Sequence, residues 1–353
     1  MKAIPAAVWD TTQEWTLETS DSEAEQLARE HSEEDEDEDE VKDTTTPAEG
    51  DEDEEEEERS DRGTHRCTRI AREWVVIHDI MFQFQGTYQF VRQLNEYSRR
   101  CYVVDDAEHG SCVLKLCDKT FSDNKPDGRA PKEVRTLSAV QSCAYVIPLL
   151  RWHDLGEDHF ALVMPRRRED DFPILFGRPD SQRNYMFQLL TALQECHERN
   201  VFVRDIKPSN VLWDDLHQRL VLIDFDAATF HPFRRRTDKL GTRDFKAPEL
   251  EAGTGYDWRA DIYSAGVCFG MMLHEIDEGD IARDMVKSWG PPKKRGGRRR
   301  RRKSQAAAAA AAAAVEIEPS ARALLQRMVA DDPARRPSFA ECLEFDYFQK
   351  KEK

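Results

Sequence analysis

Val203-Arg204-Asp205-Ile206-Lys207-Pro208-Ser209-Asn210 decides the reading of this chain, and Asp224-Phe225-Asp226 follows fourteen residues after Asn210. One tight loop holds an aspartate, a lysine two residues on and an asparagine three beyond that. A second aspartate closes a run of apolar residues. Phosphoryl transfer needs this equipment: a carboxylate to accept a hydroxyl proton, a cation near the phosphate, and two oxygen ligands for Mg²⁺. A single loop carboxylate carries no such meaning. Here four chemical roles are filled in register.

Working outward, Val211–Trp213 and Leu220–Ile223 read as two short strands joined by a polar turn, which aim Asn210 and Asp224 at one point. Upstream, Met186, Leu189, Leu190, Leu193 and His197 recur at helical spacing, with Asp180 or Ser181 as a cap and Asn200 as a stop. Strand-like runs precede them at Cys101–Val104, Ser111–Leu116, Val146–Leu150 and Phe160–Met164. A short helix begun by Pro131 falls between the second and third runs. Downstream, Ile262–Leu273 and Ser320–Val329 read as buried helices. The expected class is α+β: a small antiparallel sheet with one helix, and a mainly helical large lobe. A nucleotide-sized cleft lies between two such lobes.

The full motif set resembles the eukaryotic protein kinase family and, through Lys207 and Gly241-Thr242, its serine/threonine branch. Cys112-Val113-Leu114-Lys115 is similar to the family's strand lysine segment, and Glu133 to its helix glutamate. Asp205 and Asn210 match the catalytic loop and Asp224 the metal aspartate. Ala247-Pro248-Glu249 matches A-P-E, Arg336 its arginine partner, and Asp261 the buried aspartate of the central helix. The resemblance covers about residues 85–350 and implies a two-lobed kinase fold.

It also implies ATP as phosphoryl donor and Mg²⁺ as cofactor. Asp205 would take the substrate proton and Lys207 would neutralise charge on the transferred group. Lys115, held by Glu133, would bind the α- and β-phosphates. Asn210 and Asp224 would hold Mg²⁺. Met164 would back the adenine pocket, with Pro165–Arg167 as hinge. Arg204 would receive a phosphate on Thr237, with Arg234–Arg236 assisting, selecting acidic substrates or forming a solvated basic run.

Two departures stand out. The glycine-rich phosphate loop should lie about Leu94–Tyr102, and its three glycine positions read Asn95, Tyr97 and Arg100. Side chains there reshape a clamp that glycine leaves open to phosphate; Asn95 and Arg100 are taken as nucleotide contacts, Arg100 supplying charge. Asp226 stands in place of the D-F-G glycine, and Val203 in place of the usual histidine. The leading reading is a Mg²⁺- and ATP-dependent serine/threonine protein kinase. The alternative is a pseudokinase-like ATP-binding or scaffold protein.

Composition sets the frame. The chain has 353 residues and a formal net charge of −17. Residues 18–61 hold 24 acidic and 3 basic residues, whereas 293–303 hold nine basic and no acidic ones. A charge block of that density cannot bury enough apolar surface to offset its ordering entropy, so 1–63 reads as an acidic disordered tail. Residues 64–84 read as a connector whose apolar end, Trp74-Val75-Val76-Ile77, pads the small lobe. The lobes are expected at 85–165 and 166–350, with a basic and poly-alanine insert at 290–314.

The eight cysteines form no C-x-x-C pair and read as small core hydrophobes. No signal-like apolar core or run of eighteen apolar residues occurs, so an intracellular protein without a membrane partner is expected. Lys293–Lys303 reads first as a nuclear-import signal, which favours the nucleus over the cytoplasm, and otherwise as a contact for nucleic acid or acidic partners or as a solvated linker. No aromatic residues interleave it, so nucleic acid is not an expected partner. The expected partners are protein substrates with Ser or Thr; the oligomeric state stays open.

Overall fold

The computed structural model describes residues 87–94, 100–119, 130–156, 158–230, 241–252, 257–276 and 317–349. The tail, the connector, the insert, Asn95, Tyr97, Arg234–Arg236 and Thr237 lie outside these residues.

The small lobe is a five-stranded antiparallel sheet in the order β1-β2-β3-β5-β4. Its strands are β1 (Tyr88–Gln93), β2 (Cys101–Asp106), β3 (Gly110–Asp118), β4 (Arg151–Asp154) and β5 (His159–Pro165). Alternate residues face opposite sides of a sheet. One face of this sheet collects Tyr102, Val104, Cys112, Leu114, Leu116, Ala161 and Val163 into a small core. The register pairs Cys101 with Lys115 and Lys115 with Leu162, so Lys115 stands on the opposite face. Helix α1 (Lys132–Ala139) serves that second face: its Val134 and Leu137 share a core with Cys117, Phe160 and Leu162. Pro131 sits at its N-terminal boundary, as the sequence suggests.

The third strand-like run needs correction. Val146–Leu150 is not a strand of this sheet. Val146 bridges to Leu222 of the large lobe, and Ile147 donates to the Leu222 carbonyl at 2.9 Å. Pro148 has no N–H for a ladder and interrupts the run. The fourth strand is instead Arg151–Asp154, a polar edge segment that a search for apolar runs passes over. Strand β1 escapes the same search because five of its six residues are exposed.

The large lobe is built on α2 (Pro179–Glu198), whose Tyr185, Met186, Leu189, Leu190 and Leu193 are fully buried. Pro179 occupies its first turn, so Asp180 lies inside the helix and does not cap it. Asn200 ends the helix region at φ 56°, a left-handed conformation that asparagine tolerates. Strands β6 (Val211–Asp214) and β7 (Arg219–Leu222) form the expected hairpin beyond the loop. Helix α3 (Pro248–Ala252) precedes α4 (Arg259–His274), which is buried without interruption from Ala260 to His274. Helix α5 (Pro319–Met328) packs so tightly on α4 that a Cβ at Gly266 would lie 2.7 Å from Val329 Cγ1. Helix α6 (Phe339–Leu343) begins at a Ser338–Glu341 capping box. No helix among the described residues is long and apolar enough to cross a membrane.

Candidate active site

The loop between α2 and β6 carries Asp205, Lys207 and Asn210, and the end of β7 delivers Asp224. A backbone hydrogen bond from Ile223 to the Asn210 carbonyl (2.9 Å) holds these two segments together.

Lys115 Nζ donates to Glu133 Oε1 at 2.7 Å and to Asp224 Oδ1 at 2.7 Å. The first bond joins β3 to α1; the second joins the small lobe to the large one. Burial pulls the Lys115 ammonium toward neutrality, but the Glu133 and Asp224 carboxylates outweigh it and hold its pKa well above the ordinary value. Burial pushes Glu133 up, and Lys115 draws it back only in part. Burial also raises Asp224, yet the charge and hydrogen bond of Lys115 leave it below its ordinary value. Asp224 is therefore an anion at neutral pH, held ready by a cation.

Around Asp205 the network is denser. Its Oδ1 accepts from the Thr242 N–H (2.8 Å) and the Thr242 hydroxyl (2.9 Å). Its Oδ2 accepts from Lys207 Nζ (2.7 Å) and Asn210 Nδ2 (3.1 Å). Lys207 Nζ also donates to Thr242 Oγ1 at 2.8 Å. A carboxylate offers about four lone-pair sites, and all four are in use.

The loop is anchored from below. Asp261, buried in the first turn of α4, accepts from the Val203 N–H (2.9 Å), the Arg204 N–H (2.8 Å) and His197 Nε2 (2.9 Å). Arg204 sits at φ 66° and Asp224 at φ 64°, left-handed conformations that cost a non-glycine residue energy. The Asp261 bonds and the Lys115 bond hold these two strained positions. Arg204 Nε donates to the Ala227 carbonyl at 2.6 Å. Gly241 is needed where it stands: its φ is +84°, and a Cβ there would lie 2.9 Å from the Arg204 carbonyl oxygen. Asp226, by contrast, is exposed and is not among the positive-φ residues, so its Cβ brings no backbone strain in this conformation.

The structure thus brings together Lys115, Glu133, Asp205, Lys207, Asn210 and Asp224. Met164 lies on β5 opposite Val113, half-buried against the main core. Arg100 lies at the start of β2, where its guanidinium pairs with Asp118 at 2.6 Å. Farther down, Arg336 NH1 and NH2 meet the two Glu249 oxygens at 2.6 and 2.8 Å. Two contributors carry little sequence signal. Thr242 is marked only by its place beside Gly241, and His197 is hidden in the apolar stripe of α2.

The family model for the protein kinase domain matches residues 96–348. The chain belongs to the protein kinase family. The activity of such a domain is transfer of a phosphoryl group from ATP to a protein.

The donors present suit the family's usual Mg²⁺. Asn210 spends its Nδ2 on Asp205, which leaves its Oδ1 as a hard oxygen donor, and the Ile223–Asn210 backbone bond ties the segment carrying Asp224 to it. No cluster of three or more His, Cys, Asp or Glu able to hold a metal occurs among the described residues. Two protein oxygens are few for a resident ion but ordinary for Mg²⁺ that arrives with phosphate oxygens and water. Asn210 and Asp224 would be the residues to hold it.

Proposed function

We propose that this kinase is catalytically active, uses Mg²⁺-ATP and acts on serine or threonine hydroxyls. One observation carries the reading: Asp205 is held in a closed network by Lys207, Asn210 and Thr242. A carboxylate so fixed is oriented before substrate arrives, which is where positioned acid–base groups gain their rate.

All four acceptor sites of Asp205 are occupied, so a substrate hydroxyl must displace one donor. Lys207 is the one that yields. Its ammonium is drawn to the triphosphate, which frees a lone pair on Asp205 Oδ2 for the incoming hydroxyl. Asp205 then accepts the hydroxyl proton as the oxygen attacks the γ-phosphorus, the bond from that phosphorus to the β–γ bridging oxygen breaks, ADP leaves with its electron pair, and Lys207 neutralises charge on the transferred group. Lys115, kept charged and aimed by Glu133, steadies the remaining phosphates. Mg²⁺ on Asn210 and Asp224 would supply charge neutralisation at the phosphate oxygens.

Lys207 and Thr242, bonded to each other and to Asp205, support the serine/threonine assignment, since both belong to the motif set of that branch. The ordinary backbone at Asp226 removes one ground for an inactive scaffold. The basic run Lys293–Lys303 supports nuclear import and acidic partners.

The test is γ-phosphoryl transfer to a library of serine, threonine and tyrosine peptides. Wild type should label serine or threonine, and Asp205→Asn should lose roughly 10²–10⁴-fold in rate while still binding ATP. ATP binding without turnover in the wild type would leave the scaffold reading standing.

A further inference from the structure

Cys143 and Cys196 take no part in the phosphoryl-transfer site. Cys143 closes the turn after α1, its N–H donating to the Val140 carbonyl at 3.0 Å. Cys196 lies in the last turns of α2, fully buried. Two hydrogen bonds clamp these segments together on either side of Cys143. The Ala144 N–H donates to Glu195 Oε2 at 2.8 Å, and Arg199 NH2 donates to Ser142 Oγ at 2.8 Å. The clamp brackets Cys196 on the helix, and both cysteines belong to one core. Their thiols lie close enough to perturb each other's ionisation.

The two sulfurs differ in character. The neighbouring Cys196 thiol, aided by the Arg199 guanidinium, lowers the Cys143 thiol below its ordinary pKa despite burial. That same interaction, together with burial, raises Cys196 well above its own. Cys143 lies between exposed Ser142 and Ala144, just beneath the surface. Elsewhere the bland reading holds: Cys112, Cys268 and Cys342 are buried thiols raised chiefly by desolvation.

We propose that Cys143 and Cys196 are a peroxide-responsive dithiol pair, closing to a disulfide that ties the turn behind the Glu133 helix to α2. The Cys143 thiolate attacks one peroxide oxygen, the O–O bond breaks, and sulfenic acid and hydroxide form. The Cys196 sulfur then attacks the Cys143 sulfur, the S–O bond breaks, and water leaves with the thiol proton. Two thiols give up two electrons and two protons, and hydrogen peroxide becomes two waters. The bond restrains α1, which carries Glu133, against the large lobe. The proposal does not depend on the substrate assignment above.

The full-length protein, treated with hydrogen peroxide, is alkylated under denaturing conditions, digested and mapped by mass spectrometry. The main oxidised product should be the linked Cys143–Cys196 peptide pair, reversed by dithiothreitol and absent from Cys143→Ser. Recovery of both thiols unchanged, Cys143 oxidised to sulfinic acid without a link to Cys196, or linkage of either to another cysteine would overturn the proposal. Mapping of the wild type decides the matter even if the variant folds poorly.

Discussion

Lys115 Nζ and Asp224 Oδ1 lie 2.7 Å apart although 109 residues separate them in the chain. This bond crosses from the small lobe to the large one, and Lys115 spends a second bond on Glu133. Lys115→Met removes both. Glu133, whose side chain is 3% exposed, then keeps a carboxyl group in a dry site with no cation. On the proposed function, loss of the Lys115 charge should lower kcat on the order of 10²-fold or more. Stability should fall by about 1–3 kcal/mol, because a buried acceptor is left without its partner. Steady-state kinetics with a peptide substrate and thermal unfolding check the two halves separately. Unchanged kcat in a folded variant would remove Lys115 from the site.

Thr242 binds Asp205 twice, once through its N–H and once through its hydroxyl. The backbone bond survives any substitution except proline; the hydroxyl bonds survive only serine. Thr242→Val keeps shape and loses the contacts to both Asp205 Oδ1 and Lys207 Nζ. It should reduce kcat by roughly 10-fold or more, with Thr242→Ser close to wild type. The informative comparison is kcat against the KM for ATP. An equal loss in the serine variant would mean that the methyl group, not the hydroxyl, matters here.

The residues that the structure brings together were legible because most of them lie close in the chain. Asp205, Lys207, Asn210 and Asp224 sit on one loop–hairpin unit, so local spacing already implied their proximity. Helix α2 showed through apolar periodicity, which depends only on which face is buried, and α4 through a nearly unbroken apolar run. Edge strands were another matter. β1 and β4 owe their place to pairing with β2 and β5, not to their own apolar content, and no local pattern announces them. Val146–Leu150 misled for the opposite reason: an apolar run spans the passage between lobes, where its backbone bonds go to Leu222 and Val163. The Asp261 contacts with Val203, Arg204 and His197 join residues more than fifty positions apart. Only the folded chain supplies such pairings.

Glu249 and Arg336 form a two-pronged ion pair with side-chain exposures of 8% and 0%. Arg336 also donates to the Ala330 and Arg259 carbonyls, so it joins α3, α4 and the segment after α5. Arg336→Met should cost about 3–5 kcal/mol, since it strands a buried carboxylate. That corresponds to a fall in Tm on the order of 10 °C for a domain of this size. Glu249→Leu with Arg336→Met should recover part of the loss by removing both charges. Recovery should stay incomplete because the two carbonyls lose their donor. Calorimetry on the three variants measures the coupling, and strict additivity would show that the pair acts only as two independent residues.

His274 closes α4 and is 3% exposed. Burial, with the Arg322 guanidinium adding to it, lowers its pKa from 6.5 to about 4. The folded protein therefore holds the imidazole neutral where the unfolded chain protonates it. Between about pH 4 and 6.5 the unfolded state binds more protons, so stability rises with pH across that window. The contribution is complete above pH 6.5 and is lost as pH falls toward 4. At pH 5 the loss from this one group is on the order of 2 kcal/mol relative to neutral pH. His274→Asn cannot titrate there, so its unfolding free energy should fall less steeply on acidification than that of the wild type. Denaturant unfolding at pH 5 and pH 7.5 on both proteins gives the comparison. Parallel pH dependence in the two would mean that His274 is already protonated in the folded state or does not titrate on unfolding.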